Sequence, residues 1–142
     1  MRLPKINKIL IPMDGSKNSL RGLDTAIYLA RQCGATLTGL YVIPFYPKSL
    51  ILTPILYEKE LTKAGKEFLG KAKKRAAQNG IVFNEKITDG HEAEEIVGFA
   101  HDKGFDLIII GARGLGSVKE KFLGSVSNAV AHKSKMPVLI VK

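Results

Sequence analysis

The 142-residue chain reads as an α/β protein: an open, doubly wound, parallel five-stranded sheet with helices on both faces. Three observations predict this class. Short apolar runs alternate with amphipathic stretches of helical period, the pattern of successive βαβ units. The first apolar run ends in Asp14-Gly15-Ser16, a turn followed by a helix start. The fourth, Leu107-Ile108-Ile109-Ile110, feeds a stretch containing Gly111, Gly114, Gly116 and Gly124.

In order, residues 8–13 (Lys-Ile-Leu-Ile-Pro-Met) predict a buried strand, with Pro12 at its C-terminal end, where a missing donor matters least. A helix is expected over 16–32, with Ser16 as N-cap, Gly34 as stop, and Leu20, Leu23, Ala26, Ile27 and Ala30 facing inward. Residues 35–43 are β-prone, and Pro44 and Pro47 end that strand. A long helix is expected over 55–79 with Tyr57, Leu61, Ala64, Phe68 and Ala72 inward. Residues 81–88 alternate between apolar and polar, which suits an edge strand. Glu92, Glu94 and Glu95 favour the start of a third helix that Gly104 closes. Then follow a strand over 106–111, the Gly-rich stretch, a helix over 125–134 and a last strand over 137–142.

Right-handed crossovers give the sheet order 3-2-1-4-5, with the two most apolar strands adjacent at the centre. Asp14-Gly15-Ser16 and the stretch over 111–127 then meet at the point where the strand order reverses, where open α/β sheets take their ligands.

The length suits a single domain over 1–142. The N-terminus, Met-Arg-Leu-Pro-Lys, carries no secretory pattern, and no apolar run approaches a bilayer span, so a cytoplasmic protein without membrane contact is expected. Cys33 is the one cysteine and its helical position reads as core. The net charge of +9 raises nucleic acid as a partner, but the lysines are scattered and no aromatic residues interleave with them, which argues against it.

The glycines point to phosphate. A buried strand feeds a Gly-rich loop and then a helix start at Ser125, whose N–H groups and dipole favour an anion. Arg113, Ser117, Lys119 and Lys121 add polar and basic groups. No G-x-x-x-x-G-K-[ST] string exists, which argues against a P-loop NTPase. The dinucleotide fingerprint is missing after the first strand, and the second strand ends in apolar Tyr41-Val42-Ile43-Pro44, which suits a flat purine ring better than a ribose-binding acid. Asp14 is the acid left at the switch point, available to ribose hydroxyls or to a metal ion.

With these residues the chain resembles the universal stress proteins over nearly its whole length. That family's ATP-binding pattern, G-x2-G-x9-G-[ST], reads as Gly111, Gly114, Gly124 and Ser125 without departure. Asp14-Gly15-Ser16 and the terminal Met136-Pro137-Val138-Leu139-Ile140-Val141 match the family's first turn and last strand. The resemblance implies a Rossmann-like or flavodoxin-like fold, a homodimer, and a stress-response regulator that binds ATP or AMP; Mg2+ is a further expected companion, through Asp14. It implies that Pro12, Met13 and Asp14 line base and ribose with Val42 beside the adenine. Gly111, Arg113, Gly114, Gly124, Ser125, Val126 and Ser127 would hold ribose and phosphates. One departure stands out: the family often opens its third helix with Gly-x-Pro, and here the residues are Gly90-His91-Glu92. Proline at that position only rigidifies, so the change is expected to leave the site as it was.

No catalytic residue and no metal-ligand spacing is identified. His101 and His132 sit near helix C-termini, where a cation is favoured without catalysis, and His91 starts a helix. The expected activity is nucleotide binding with little or no turnover, read by an unidentified protein partner. The alternative is a slow ATPase or phosphotransfer protein in which Ser125 or Ser127 receives a phosphate. The apolar last strand, Val138–Val141, is an edge that a second copy could cover. The apolar loop over 45–54 would either cover the adenine or meet that second copy.

Overall fold

The computed structural model describes residues 3–114 and 123–142; Gly116, Ser117, Lys119 and Lys121 lie outside them. Its elements run β1 (Lys8–Pro12), α1 (Lys17–Cys33), β2 (Thr36–Ile43), α2 (Pro54–Gln78), β3 (Phe83–Asp89), α3 (Glu92–Asp102), β4 (Leu107–Gly111), α4 (Ser125–Lys133) and β5 (Val138–Val141). The five strands form one parallel sheet in the order β3-β2-β1-β4-β5, as the alternation of elements predicts.

Strand side chains alternate between two cores because the pleat has period two. Ile9, Ile11, Leu37, Tyr41, Leu107 and Ile109 pack with α1 and α2 on one face. Leu10, Leu40, Val42, Ile108 and Ile110 pack with α3 and α4 on the other. The edge strand β3 buries only Phe83 fully, in keeping with its polar alternation.

Local chemistry sets the helix ends. The Ser16 hydroxyl accepts from the Ser19 N–H at 3.2 Å, and Gly34 adopts the left-handed conformation that ends α1. The Thr53 side chain caps α2 through the Leu56 N–H, with Pro54 at the first helical position.

Three inward assignments are corrected. Cys33 is exposed, because it is the last residue of α1 and lies beyond the packed face. Leu20 is also exposed: α1 approaches β4 so closely in its first turns that Ser19 and Gly22 take the inward positions. In α2 the inward stripe is Gly65, Leu69, Ala72 and Ala76, with Ala64 exposed. Gly65 belongs there because the Tyr41 ring fills its space: a Cβ would stand 2.5 Å from Tyr41 Cδ2.

Candidate functional site

The C-terminal ends of β1 and β4 open into a cavity of about 560 Å³ at the switch point. The structure brings all the sequence-predicted residues to its wall: Pro12, Met13, Asp14, Val42, Gly111, Arg113, Gly114, Gly124, Ser125, Val126 and Ser127. It adds Leu40, Pro44, Glu92, Ile96, Ile110 and Leu123, which the sequence reading had not assigned to the site. Leu50, Ile51 and Leu52 do not line it; they are exposed on the β2–α2 connection, and Ile51 is fully open to solvent at 101%.

The cavity has two chemically distinct ends. Leu40, Val42, Pro44, Ile96 and Ile110 make one end apolar. The other is the start of α4, where the first helical bond runs from the Asn128 N–H to the Gly124 carbonyl at 3.0 Å. Helix geometry therefore leaves the N–H groups of Ser125, Val126 and Ser127 without intrahelical acceptors, and Gly124 brings no capping side chain. Helix starts left open in this way are where proteins commonly hold anions.

The motif glycines are required for space rather than for unusual backbone angles, since Gly111, Gly114 and Gly124 all lie outside the positive-φ set. A Cβ on Gly111 would stand 2.8 Å from the Asn18 carbonyl carbon and oxygen, so this glycine admits the start of α1 against β4. A Cβ on Gly114 would collide with Asp14 Oδ2. On Gly124 it would meet the Ala112 carbonyl oxygen at 3.2 Å. Each glycine thus holds the loop against another part of the site.

Asp14 and Ser127 are also shaped by the chain itself. Asp14 Oδ1 accepts from the Ser16 N–H at 2.9 Å, which fixes the carboxylate between β1 and α1. The buried Ser127 hydroxyl donates to the Ala112 carbonyl at 2.6 Å and lies 3.1 Å from the Gly124 carbonyl oxygen. His91 precedes α3 and packs edge-on against Phe45, ring centroids 4.5 Å apart.

Glu92, the first residue of α3, is half-buried in the cavity wall. Burial pushes its carboxyl above the ordinary value, and the Asp14 charge pushes the same way. Burial also raises the Tyr41 phenol, helped by Tyr57, Glu92 and Asp14.

A parallel doubly wound sheet with a cavity at its switch point, apolar at one end and bounded by a helix start at the other, defines an open α/β protein of the kind that takes ligands at the C-terminal ends of its strands. Residues 5–142 match the universal stress protein family, and the chain belongs to it. Universal stress protein YxiE of Bacillus subtilis is 38% identical over 146 aligned positions, covering 96% of this chain and 99% of its own. The solved structure of MJ0577, a universal stress protein of Methanocaldococcus jannaschii, superposes with a TM-score of 0.83 at 32% identity, covering 96% of this chain and 95% of that one. A universal stress protein solved in complex with cAMP superposes with a TM-score of 0.75 at 28% identity, covering 96% and 97%. Among the described residues no helix is long and apolar enough to cross a membrane.

Proposed function

We propose that this chain binds an adenine nucleotide, ATP or AMP, in the crevice between β1 and β4, and that it acts as a homodimeric regulator with little or no turnover. The observation that carries this reading is the pairing, in one cavity, of an apolar slot with the uncapped start of α4. The base lies against Val42, Pro44 and Ile96, the ribose beside Met13 and Asp14, and the phosphates on the N–H groups at 125–127, beside Arg113 and Gly114. The relative solved with cAMP supports the ligand class.

The residues also fit a metal-bearing triphosphate. Among the described residues no three His, Cys, Asp or Glu side chains cluster as a metal cage. A Mg2+ ion would thus be held chiefly by the phosphates and water, with Asp14 the carboxylate at hand. Low turnover is supported by Ser127, whose hydroxyl proton is engaged with the Ala112 carbonyl rather than turned to the ligand.

Dimerisation is supported by β5. Pro137 and Val141 carbonyls accept from the Ile108 and Ala112 N–H groups, so alternate residues bond inward to β4. The parallel ladder then turns the peptide groups of Val138 and Ile140 outward along an apolar edge that no described strand covers. A two-fold related copy would pair with it.

The test begins with the purified chain: denature it, identify any released nucleotide by mass spectrometry, and titrate ATP and AMP calorimetrically. Close to one adenine nucleotide per chain, or saturable heat, supports the reading. Neither nucleotide nor heat at millimolar ligand overturns it. Release of ADP from ATP and Mg2+, or a mass gain on Ser125, would favour the enzymatic alternative.

A further inference from the structure

We propose that Glu92 reads the base: its carboxylate, set in the cavity wall where α3 starts beside the end of β2, accepts the exocyclic amino group of a 6-aminopurine and turns away 6-oxopurines. This deepens the adenine-nucleotide reading and rests on it.

Glu92 reaches the base end through the sheet. Asp89, the last residue of β3, is in register with Ile43, and the Gly90 N–H donates to the Ile43 carbonyl at 3.0 Å. This turn brings the start of α3 to the end of β2; Glu92 lines the cavity together with Val42 and Pro44, and a shallower neighbouring hollow together with Ser125 and Val126. Ile96, one helical turn further on, forms the apolar floor next to it.

The carboxylate there is an acceptor-only group. Among the described residues no side chain or backbone N–H donates to it, and no Lys or Arg pairs with it. Its helix-start position favours its charge, but burial and Asp14 outweigh that and hold its proton affinity up. A half-buried acceptor without a donor is costly to the folded chain, and a ligand N–H offsets that cost. In an adenine the 6-amino group supplies two such hydrogens. In hypoxanthine or guanine an oxygen stands at the same place, and two acceptors face each other.

This residue also occupies the position at which the universal stress protein pattern noted above carries proline, so the departure adds a polar group to the site instead of leaving it as it was.

The experiment titrates the full chain with AMP and IMP, which differ in the 6-substituent, and repeats both with Glu92→Gln. The native chain should prefer AMP by at least about tenfold. Glu92→Gln, whose amide both donates and accepts, should bring IMP to within about threefold of AMP. Equal AMP and IMP affinity in the native chain overturns the proposal, whether or not the variant folds. So does a preference that Glu92→Gln leaves intact. Binding of neither nucleotide to the native chain overturns the adenine reading itself, and this proposal with it.

Discussion

Ser127 reaches back to Ala112: its hydroxyl donates to the Ala112 carbonyl at 2.6 Å, and the Gly124 N–H donates to the same oxygen at 2.7 Å. The start of α4 is thereby tied to the residue that follows β4, and the N–H groups proposed to hold phosphate are aimed by that tie. Ser127→Ala removes one of the two bonds and leaves the carbonyl with the other. It should lower stability by about 1 kcal/mol in chemical denaturation. AMP affinity should fall by roughly fivefold, as expected if the looser helix start forfeits a similar energy on binding. Unchanged affinity with the stability loss present would restrict Ser127 to a folding role.

The motif glycines should separate by what they touch. Gly111→Ala places a methyl group against the Asn18 backbone, where neither β4 nor α1 can give way freely, and should cost about 1–3 kcal/mol. Gly114→Ala meets only the end of the Asp14 side chain. That side chain can turn, at the cost of its bond from the Ser16 N–H, so urea denaturation should register a loss of at most about 1 kcal/mol, while displacement of the Asp14 carboxylate should weaken AMP at least about tenfold. Equal effects of the two substitutions on stability would contradict the contacts described.

The contrast shows which features the sequence could disclose. The sheet order and the meeting of Asp14 with Gly114 were legible because apolar runs, turn residues and right-handed crossovers leave few alternatives. The reason for each glycine was not legible, since a missing side chain says nothing about which distant atom fills the space. Gly65 in α2 is the plainest case, because its partner Tyr41 lies on a different element. Glu92 was read as one of three acids serving a helix dipole; only the β3–α3 turn, tied to Ile43, shows that it alone of the three lines the main cavity.

The edge of β5 yields a prediction about assembly. Leu139 is 37% exposed on a strand that, among the described residues, has a neighbouring strand on one side only. If two copies pair there, a lysine at this position places like charges near each other across the two-fold axis, the device by which natural edge strands resist pairing. Leu139→Lys should sediment as a monomer at micromolar concentration where the native chain sediments as a dimer. AMP binding should persist, because Leu139 is not part of the cavity wall. A native monomer, or a dimer indifferent to the substitution, would remove the β5 interface.

The Glu92 carboxyl makes a prediction about pH that needs no ligand. Its folded-state proton affinity is raised from the ordinary value of 4.5, by burial first and by the Asp14 charge second. The folded chain therefore holds this proton over a range above 4.5 in which the unfolded chain has released it. The associated stability is fully present below the unfolded value and is lost as pH rises through the folded value. Glutamine at this position cannot ionise, so Glu92→Gln escapes the loss. The helix-dipole benefit that Glu92→Gln forgoes opposes this, but it enters the same titration and is already outweighed in the direction of the shift. The stability of Glu92→Gln relative to the native chain should accordingly grow as pH rises above the ordinary value of 4.5 and level off above the folded value, measured by thermal or urea unfolding at each pH. A difference that stays flat across that range would show that Glu92 titrates alike in both states. A group that weakens the empty fold at neutral pH, in the wall of the cavity, is what a residue held for its ligand should look like.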